Sequence, residues 1–456
     1  MKIIYKGHSV ILNLIATSKV VDNDSYKKSI FNLYIPVEDG VLIYNTLTRS
    51  IGLCDEKEYH TLMKNECDDE FITTLIEYGF IRPVEIDEMK VCDQICMVLK
   101  GYENSNYINS YTIFTTTKCN ARCKYCYEIG CKQFDMTLST AKQLANFIIA
   151  NNANNKDKSI KLSWFGGEPL YNYKVIDYIC KSLSENGFKI KSTMVSNGFL
   201  FNDELIATAK NLWNLTRVQI TLDGTEEKYN KIKNYKDNKD DNPFVKVCNN
   251  IEKLLKNNIR VAIRLNATKD NIDDLYKLVD FIYQRFMNYK IFYVYTGIVS
   301  DYTLIDKVWN SAERNAIIME RNKLEDYIYS LGLKNYIRTS KLFKTTQCMA
   351  DNKSSVVVYP NGDLGKCEHF EKDDIIGNIF DGDLNGQKVK DWELRYNNKD
   401  MCQNCSYYPL CIRLVKCPAF KGLNCNKFES SYYLTNLKHS VVSEYRDWQA
   451  KNEKQT

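Results

Sequence analysis

Long apolar runs are missing from this chain: none of its 456 residues lies in a stretch approaching the length of a membrane span. Charge of one sign is missing too. The net charge is +5, from 62 basic and 57 acidic residues, which suits an acidic peptide partner but is too slight to mark a nucleic-acid reader. There is no low-complexity segment and no repeat beyond an alternation of strand-like and helix-like stretches. A hydrophobic content of 44% with 26% charged residues excludes long disorder and allows at least one sizeable core. The opening "MKIIYKGHSVILNLIATSKV" sets lysines beside an apolar patch, as a secretory signal does. His8 and Asn13 interrupt it and no small-residue cleavage site follows, so it reads as a strand. The chain is expected in the cytoplasm, with neither membrane nor nucleic acid among its partners.

What the chain has in quantity is cysteine, seventeen residues. A compartment that keeps thiols reduced excludes a disulfide framework. Cys54, Cys67, Cys92, Cys96, Cys131, Cys180 and Cys248 stand apart and read mainly as small buried hydrophobes. Cys92 and Cys96, in a stretch that reads as a linker, and Cys131, just past the first dense group, keep a ligand role open.

Residues 1–100 read as a small α+β module. "IFNLYIPVEDGVLIYNTLTRSIGL" alternates apolar and polar residues around an Asp39-Gly40 turn, a hairpin signal. "DEKEYHTLMKN" and "DDEFITTLIEYGFI" follow with helical spacing, then "RPVEIDEMKVCDQ" as a linker. A hairpin with two short helices suggests a winged-helix-like fold. From 101 to 300 strands and helices alternate. "YTIFTTT", "IKLSWF", "KSTMVS", "RVQITL", "RVAIRLN" and "KIFYVY" are the strand-like runs, and six such units argue for an α/β parallel sheet curling into a barrel or part of one. Residues 301–345 look mainly helical. Residues 346–456 are loop-rich and cysteine-dense, with too few periodic segments for a large core, so metal would have to replace it.

"TTTKCNARCKYCYE" follows the first barrel strand and sets Cys119, Cys123 and Cys126 in a C-x3-C-x2-C spacing. No histidine accompanies them and the spacing itself supplies no fourth ligand. Zinc knuckles come in C-x2-C pairs, whereas a [4Fe–4S] cluster with three protein ligands keeps one iron open. The motif, with Tyr125 in the aromatic place, closely resembles the radical S-adenosylmethionine (SAM) superfamily. That resemblance implies a partial (β/α)6 TIM-like barrel, and SAM chelated through its amino and carboxylate groups to the open iron. An electron from the cluster then splits SAM into methionine and a 5′-deoxyadenosyl radical, which takes a hydrogen atom from substrate. It further implies Tyr125 beside the adenine and Gly166, Gly167 and Glu168 at the SAM ammonium, the glycines letting the backbone approach the ligand. Ser196, Asn197 and Asp223 would face its carboxylate and ribose, with Arg264 and Asn266 in reach of the same face. Lys233 stands where relatives often carry arginine and is left outside the site.

The second field, Cys348, Cys367, Cys402, Cys405, Cys411, Cys417 and Cys425, resembles the SPASM domain, a holder of two auxiliary clusters in radical SAM peptide-modifying enzymes. The gap from Cys411 to Cys417 is x5 where that family has x3. By resemblance Cys402, Cys405, Cys411 and Cys425 close an outer [4Fe–4S] cluster, while Cys348, Cys367 and Cys417 hold an inner one with an open iron. The whole chain is therefore similar to a maturase that joins cysteine sulfur to carbon in a ribosomally made precursor peptide, of sactipeptide or ranthipeptide type. The N-terminal module would bind the leader as an added strand, the core would supply the cysteine, and a flavodoxin- or ferredoxin-type donor the electron. Rival expectations are a carbon–carbon crosslink, formylglycine formation in a sulfatase, or a non-catalytic iron–sulfur carrier.

Overall fold

The computed structural model describes residues 1–15, 26–103, 107–128, 130–236, 242–299, 311–333, 348–369, 372–395, 402–411, 414–417 and 429–453. Cys425 and the segment 300–310 lie outside them. The chain divides into two compact units, one of Met1–Asn104, Tyr336–Cys348 and Arg395–Thr456, the other of Ser105–Asn335 and Met349–Leu394. These units cut across the four expected segments. The 346–456 stretch is shared between them, because a strand within it pairs with the barrel sheet.

In the first unit β1 (Lys2–Tyr5) leads into α1 (Ser9–Ile15), so the opening stretch is a strand and then a helix. After β2 (Tyr26–Lys28) come β3 (Asn32–Val37), β4 (Gly40–Asn45) and β5 (Ile51–Cys54), which with β1 make an antiparallel sheet of order β1-β5-β4-β3. The hairpin turn is Glu38-Asp39, one residue earlier than the sequence suggests, with Val37 paired to Gly40. Gly40 has φ +138, and a Cβ there would stand 2.2 Å from the Cys54 carbonyl oxygen. α2 (Glu56–Lys64) and α3 (Asp69–Glu77) follow as expected. Their apolar side chains cover one face of the sheet, around Ile43, Cys54, Leu62, Leu75 and Phe80. The other face, with Leu33, Ile35, Leu42, Tyr44, Ile51 and Leu53, packs against Leu437, Val441 and Tyr445 of the C-terminal helix Glu429–Glu453. The expected linker is instead β6 (Ile81–Pro83), paired with β2, and α4 (Glu88–Glu103).

The second unit contains all six expected strands. They are β7 (Ser110–Thr116), β8 (Ser159–Gly166), β9 (Lys189–Ser196), β10 (Leu215–Thr221), β11 (Arg260–Ala267) and β12 (Phe292–Ile298), parallel and in sequential order. Between them run α5 (Leu138–Asn151), α6 (Tyr173–Glu185), α7 (Asp203–Asn211), α8 (Glu226–Lys233), α9 (Pro243–Lys256) and α10 (Ile272–Phe286). The sequence explains this locally. β8 buries alternate residues Ile160, Leu162 and Trp164, each fully buried apolar side chain contributing roughly 1.5–3 kcal/mol. α9 starts with Asn242 accepting the Val245 N–H and Pro243 in the first turn, then buries Phe244, Val247, Cys248, Ile251, Leu254 and Leu255. This is the parallel sheet of a TIM-like partial barrel. Beyond the β7 edge it continues with β13 (Ser355–Val358), parallel to β7, and with β14 (Asp363–Gly365) and β15 (Gly377–Asn378), both antiparallel. α11 (Ser311–Ser330) and α12 (Gly386–Glu393) complete the unit. No helix among the described residues is long and apolar enough to cross a membrane.

Candidate active site

Polar residues gather at the C-terminal ends of β7 to β11, the end of a parallel α/β sheet at which chemistry is placed. The loop after β7 carries Cys119, Cys123 and Cys126, each partly buried. The Cys126 N–H donates to the Cys123 carbonyl at 3.0 Å, and the Ala121 N–H donates to Cys119 Sγ at 3.4 Å. The end of α8 anchors this loop: Arg122 N–H donates to the Lys233 carbonyl at 2.8 Å, and Lys236 N–H to that of Asn120 at 3.0 Å. Burial pushes the Cys119 thiol up to about 12 and that of Cys126 to about 11. Such thiols are neutral until a metal takes the place of the proton. No three His, Cys, Asp or Glu side chains among the described residues close to the spacing of a single metal ion. Three thiols spread along one loop suit the wider iron–sulfur cluster.

The Gly166-Gly167-Glu168 segment lies against that loop. A Cβ on Gly166 would stand 2.1 Å from the Thr116 carbonyl oxygen, and one on Gly167 2.3 Å from that of Lys118. The glycines therefore admit the backbone of the cysteine loop. Gly167 N–H donates to the Thr116 carbonyl at 3.1 Å and Glu168 N–H to the Lys118 carbonyl at 2.8 Å. The Glu168 carboxylate is fully buried and accepts from Leu170 N–H (3.3 Å), Ser196 Oγ (2.9 Å) and Asn197 N–H (2.8 Å). Burial raises its pKa to about 7 against the pull of those donors. Three of roughly four acceptor positions are filled, which leaves one for a ligand ammonium.

Asn197 ties the third strand end to the first. Its Nδ2 donates to Asn120 Oδ1 at 2.6 Å and lies 3.8 Å from Cys119 Sγ. At the end of β10, Asp223 is 1% exposed; its Oδ2 accepts from the Tyr125 hydroxyl and from Lys233 Nζ at 2.9 Å. Its Oδ1 is buried without a hydrogen-bond partner among the described residues. A buried carboxylate oxygen left this way fits a ligand hydroxyl or ammonium. Arg264 Nε is likewise buried without a partner, its guanidinium lying across Gly297, and Asn266 is buried beside it on β11. The residues present therefore fit SAM and its cluster.

Lys233 belongs in this network, although the sequence left it outside. It is buried, donates to Tyr125 Oη at 3.0 Å, and sits 5.6 and 5.8 Å from the ring centroids of Tyr125 and Tyr229. Burial works against its charge, but Asp223, Cys123 and the two tyrosines outweigh it and hold its pKa well above the ordinary lysine value.

The second cysteine field is divided. Cys402, Cys405, Cys411, Cys417 and Cys348 fall in the first unit, and Cys367, buried, in the second. Of the isolated cysteines, Cys54, Cys67, Cys180 and Cys248 are buried as expected, and burial raises the pKa of each. Cys131 is exposed, in a turn closed by its N–H on the Glu128 carbonyl at 3.1 Å.

Residues 113–282 match the family model of the Radical SAM superfamily. Over 286 residues the chain is 26% identical to a GTP 3′,8-cyclase of Clostridium perfringens, covering 58% of this chain and 81% of that one. Over 335 residues it is 24% identical to the antilisterial bacteriocin subtilosin biosynthesis protein AlbA of Bacillus subtilis, covering 70% and 68%. Streptococcus suis SuiB bound to precursor peptide SuiA shares the fold with a TM-score of 0.51 and 16% identity, covering 89% of this chain and 99% of that one.

Proposed function

This chain is a radical SAM enzyme, and on that premise we propose that it is a peptide maturase forming thioether bonds between cysteine sulfur and carbon within a precursor peptide. The observation that carries the reading is the match to subtilosin AlbA, which extends over 70% of the chain and so well beyond residues 113–282. The match to the GTP cyclase, at 58% of the chain, is shorter.

When bound, SAM and its cluster supply the radical that takes a hydrogen atom from the peptide. Cys119, Cys123 and Cys126 hold the cluster, and Asn197 orients Cys119. The last acceptor position of Glu168 takes the SAM ammonium. Asp223, with Tyr125 and Lys233 fixing its other oxygen, presents Oδ1 to a ligand hydroxyl; Ser196 holds Glu168 in place, and Arg264 and Asn266 flank the same strand ends. The second cysteine field supplies thiolates to two auxiliary clusters, in the manner of a SPASM domain. The N-terminal module is a winged-helix-like leader binder whose edge strand β3 takes the leader, and a flavodoxin- or ferredoxin-type protein supplies the electron.

The anaerobically reconstituted enzyme, given SAM, a reductant and a cysteine-bearing precursor, should release 5′-deoxyadenosine and a peptide lighter by two hydrogens per bond. The same cysteine should then resist alkylation. Release of deoxyadenosine with a crosslink but a free thiol would favour carbon–carbon joining instead. A modified cysteine with no crosslink would favour formylglycine. An unchanged peptide with no deoxyadenosine would point to a carrier.

A further inference from the structure

The segment from Cys402 to Cys411 packs onto α4 within the first unit. Cys92 is fully buried in a cluster with Ile11, Phe31, Leu47, Ile95, Cys402 and Tyr408, and Cys96 and Cys405 pack against it, half-buried. The contact is pinned beside Cys92. Tyr408 Oη donates to the Asp93 carboxylate at 2.9 and 3.0 Å, and its ring stacks on Phe31 at 6.5 Å. Thr46 donates its hydroxyl to the Ser406 carbonyl from the other side.

Two ligand-spaced pairs meet here. Cys92 and Cys96, four residues apart on α4, lie on one face of the helix. Cys402 and Cys405 form a tight knuckle, with Cys405 N–H donating to the Cys402 carbonyl at 3.1 Å and Tyr408 N–H to that of Cys405 at 3.0 Å. The bland alternative, thiols as small hydrophobes, serves for Cys92 and Cys402. It gives no reason for a second cysteine of each pair at the rim, where a side chain can bind something larger than a neighbour. A single zinc ion is disfavoured, since no three ligand side chains among the described residues close to single-ion spacing. The thiolates of a [4Fe–4S] cluster stand on separate irons, further apart.

We propose that Cys92, Cys96, Cys402 and Cys405 are the four thiolate ligands of an auxiliary [4Fe–4S] cluster in the first unit. Two of them then come from α4 where the SPASM resemblance would use Cys411 and Cys425. Iron and inorganic sulfide come from cluster assembly, and each thiol gives its proton to solvent as it binds. The inference rests on the reading that the C-terminal cysteines hold iron, but not on what becomes of the peptide, because its readout is metal content.

The test uses the full chain carrying Cys119→Ala, Cys123→Ala and Cys126→Ala, so that only auxiliary iron is counted after anaerobic reconstitution. Adding Cys92→Ala and Cys96→Ala should remove about four irons and four sulfides per chain, with the Mössbauer intensity falling in step, as should Cys402→Ala with Cys405→Ala. Cys411→Ala should retain them. Cys96→Ala alone, at the half-buried position, guards against loss through misfolding. It should keep the circular dichroism of its parent yet give a three-iron EPR signal on mild oxidation. Full iron in the Cys92/Cys96 variant, an unchanged spectrum in Cys96→Ala, loss of the four irons from Cys411→Ala, or one zinc per chain in place of iron would each overturn the proposal.

Discussion

Asn197 joins three parts of the site: its N–H serves Glu168, its Nδ2 serves Asn120 and approaches Cys119 Sγ, and its Oδ1 accepts the Phe199 N–H at 2.9 Å. Partners behind a metal ligand typically matter about 10–100-fold. Asn197→Ala should therefore keep its iron but release 5′-deoxyadenosine about 10–100-fold more slowly, and an unchanged rate would show that the contact with Cys119 is idle. Lys233 makes a different demand. Replacing it with Met leaves Asp223 buried beside Tyr125 with its charge unpaired, which costs about 3–5 kcal/mol in comparable pairs. Chemical denaturation of the metal-free chain should show a loss of that order, and Lys233→Arg should recover part of it. The sequence revealed the three loop cysteines and the strand-end residues because each sits in a short, specific pattern. It left Lys233 outside, because that residue's meaning lies in Asp223, ten residues earlier before the start of α8. Nor could it show that most of the Glu168 carboxylate is occupied by Leu170, Ser196 and Asn197.

β3 carries the leader-binding proposal, and it has a flaw as a template. With Val37 opposite Gly40 across a two-residue turn, Pro36 falls at an outward-facing position of the edge strand, exposed to solvent. Proline is tolerated there because the N–H it lacks is one the ladder does not use. The same absence blunts the edge against stray pairing, and against an added leader strand as well. Pro36→Val should restore one donor, worth about 1 kcal/mol, and tighten leader binding by about fivefold. Fluorescence anisotropy of a labelled leader against the full chain would measure it; no gain in a folded variant would move the docking site away from β3. At this scale the sequence was most legible where apolar residues are β-branched or aromatic, as in the six barrel strands. It misled at α4. Asp87 caps that helix, accepting the N–H groups of Met89 and Lys90 at 3.1 Å each, but Pro83 and the acidic residues around it read as a linker. The apolar face is built partly of Cys92 and Cys96, which a hydrophobic pattern undercounts.

Each unit carries a core made of ordinary apolar side chains. The barrel sheet buries Trp164, Met194, Val218 and Ile263 without reference to any metal. Replacing Cys119, Cys123 and Cys126 with alanine should then leave the circular dichroism and auxiliary iron intact while abolishing SAM cleavage; persisting deoxyadenosine would remove the cluster from that loop. The division of the chain was the least legible feature, because composition changes near residue 346 while the packing does not: β13 joins the sheet at β7, and the C-terminal helix returns to the face of β3, β4 and β5. That return has a consequence during synthesis. The face formed by Leu33, Ile35 and Leu42 leaves the ribosome early, and Leu437 and Val441 follow only after the whole barrel has been made. At roughly 5–20 residues per second the wait is on the order of tens of seconds, far longer than a hairpin needs to form. The middle of the chain can thus mature while the beginning still holds an uncovered apolar face, and the two-ended unit is the last to become native.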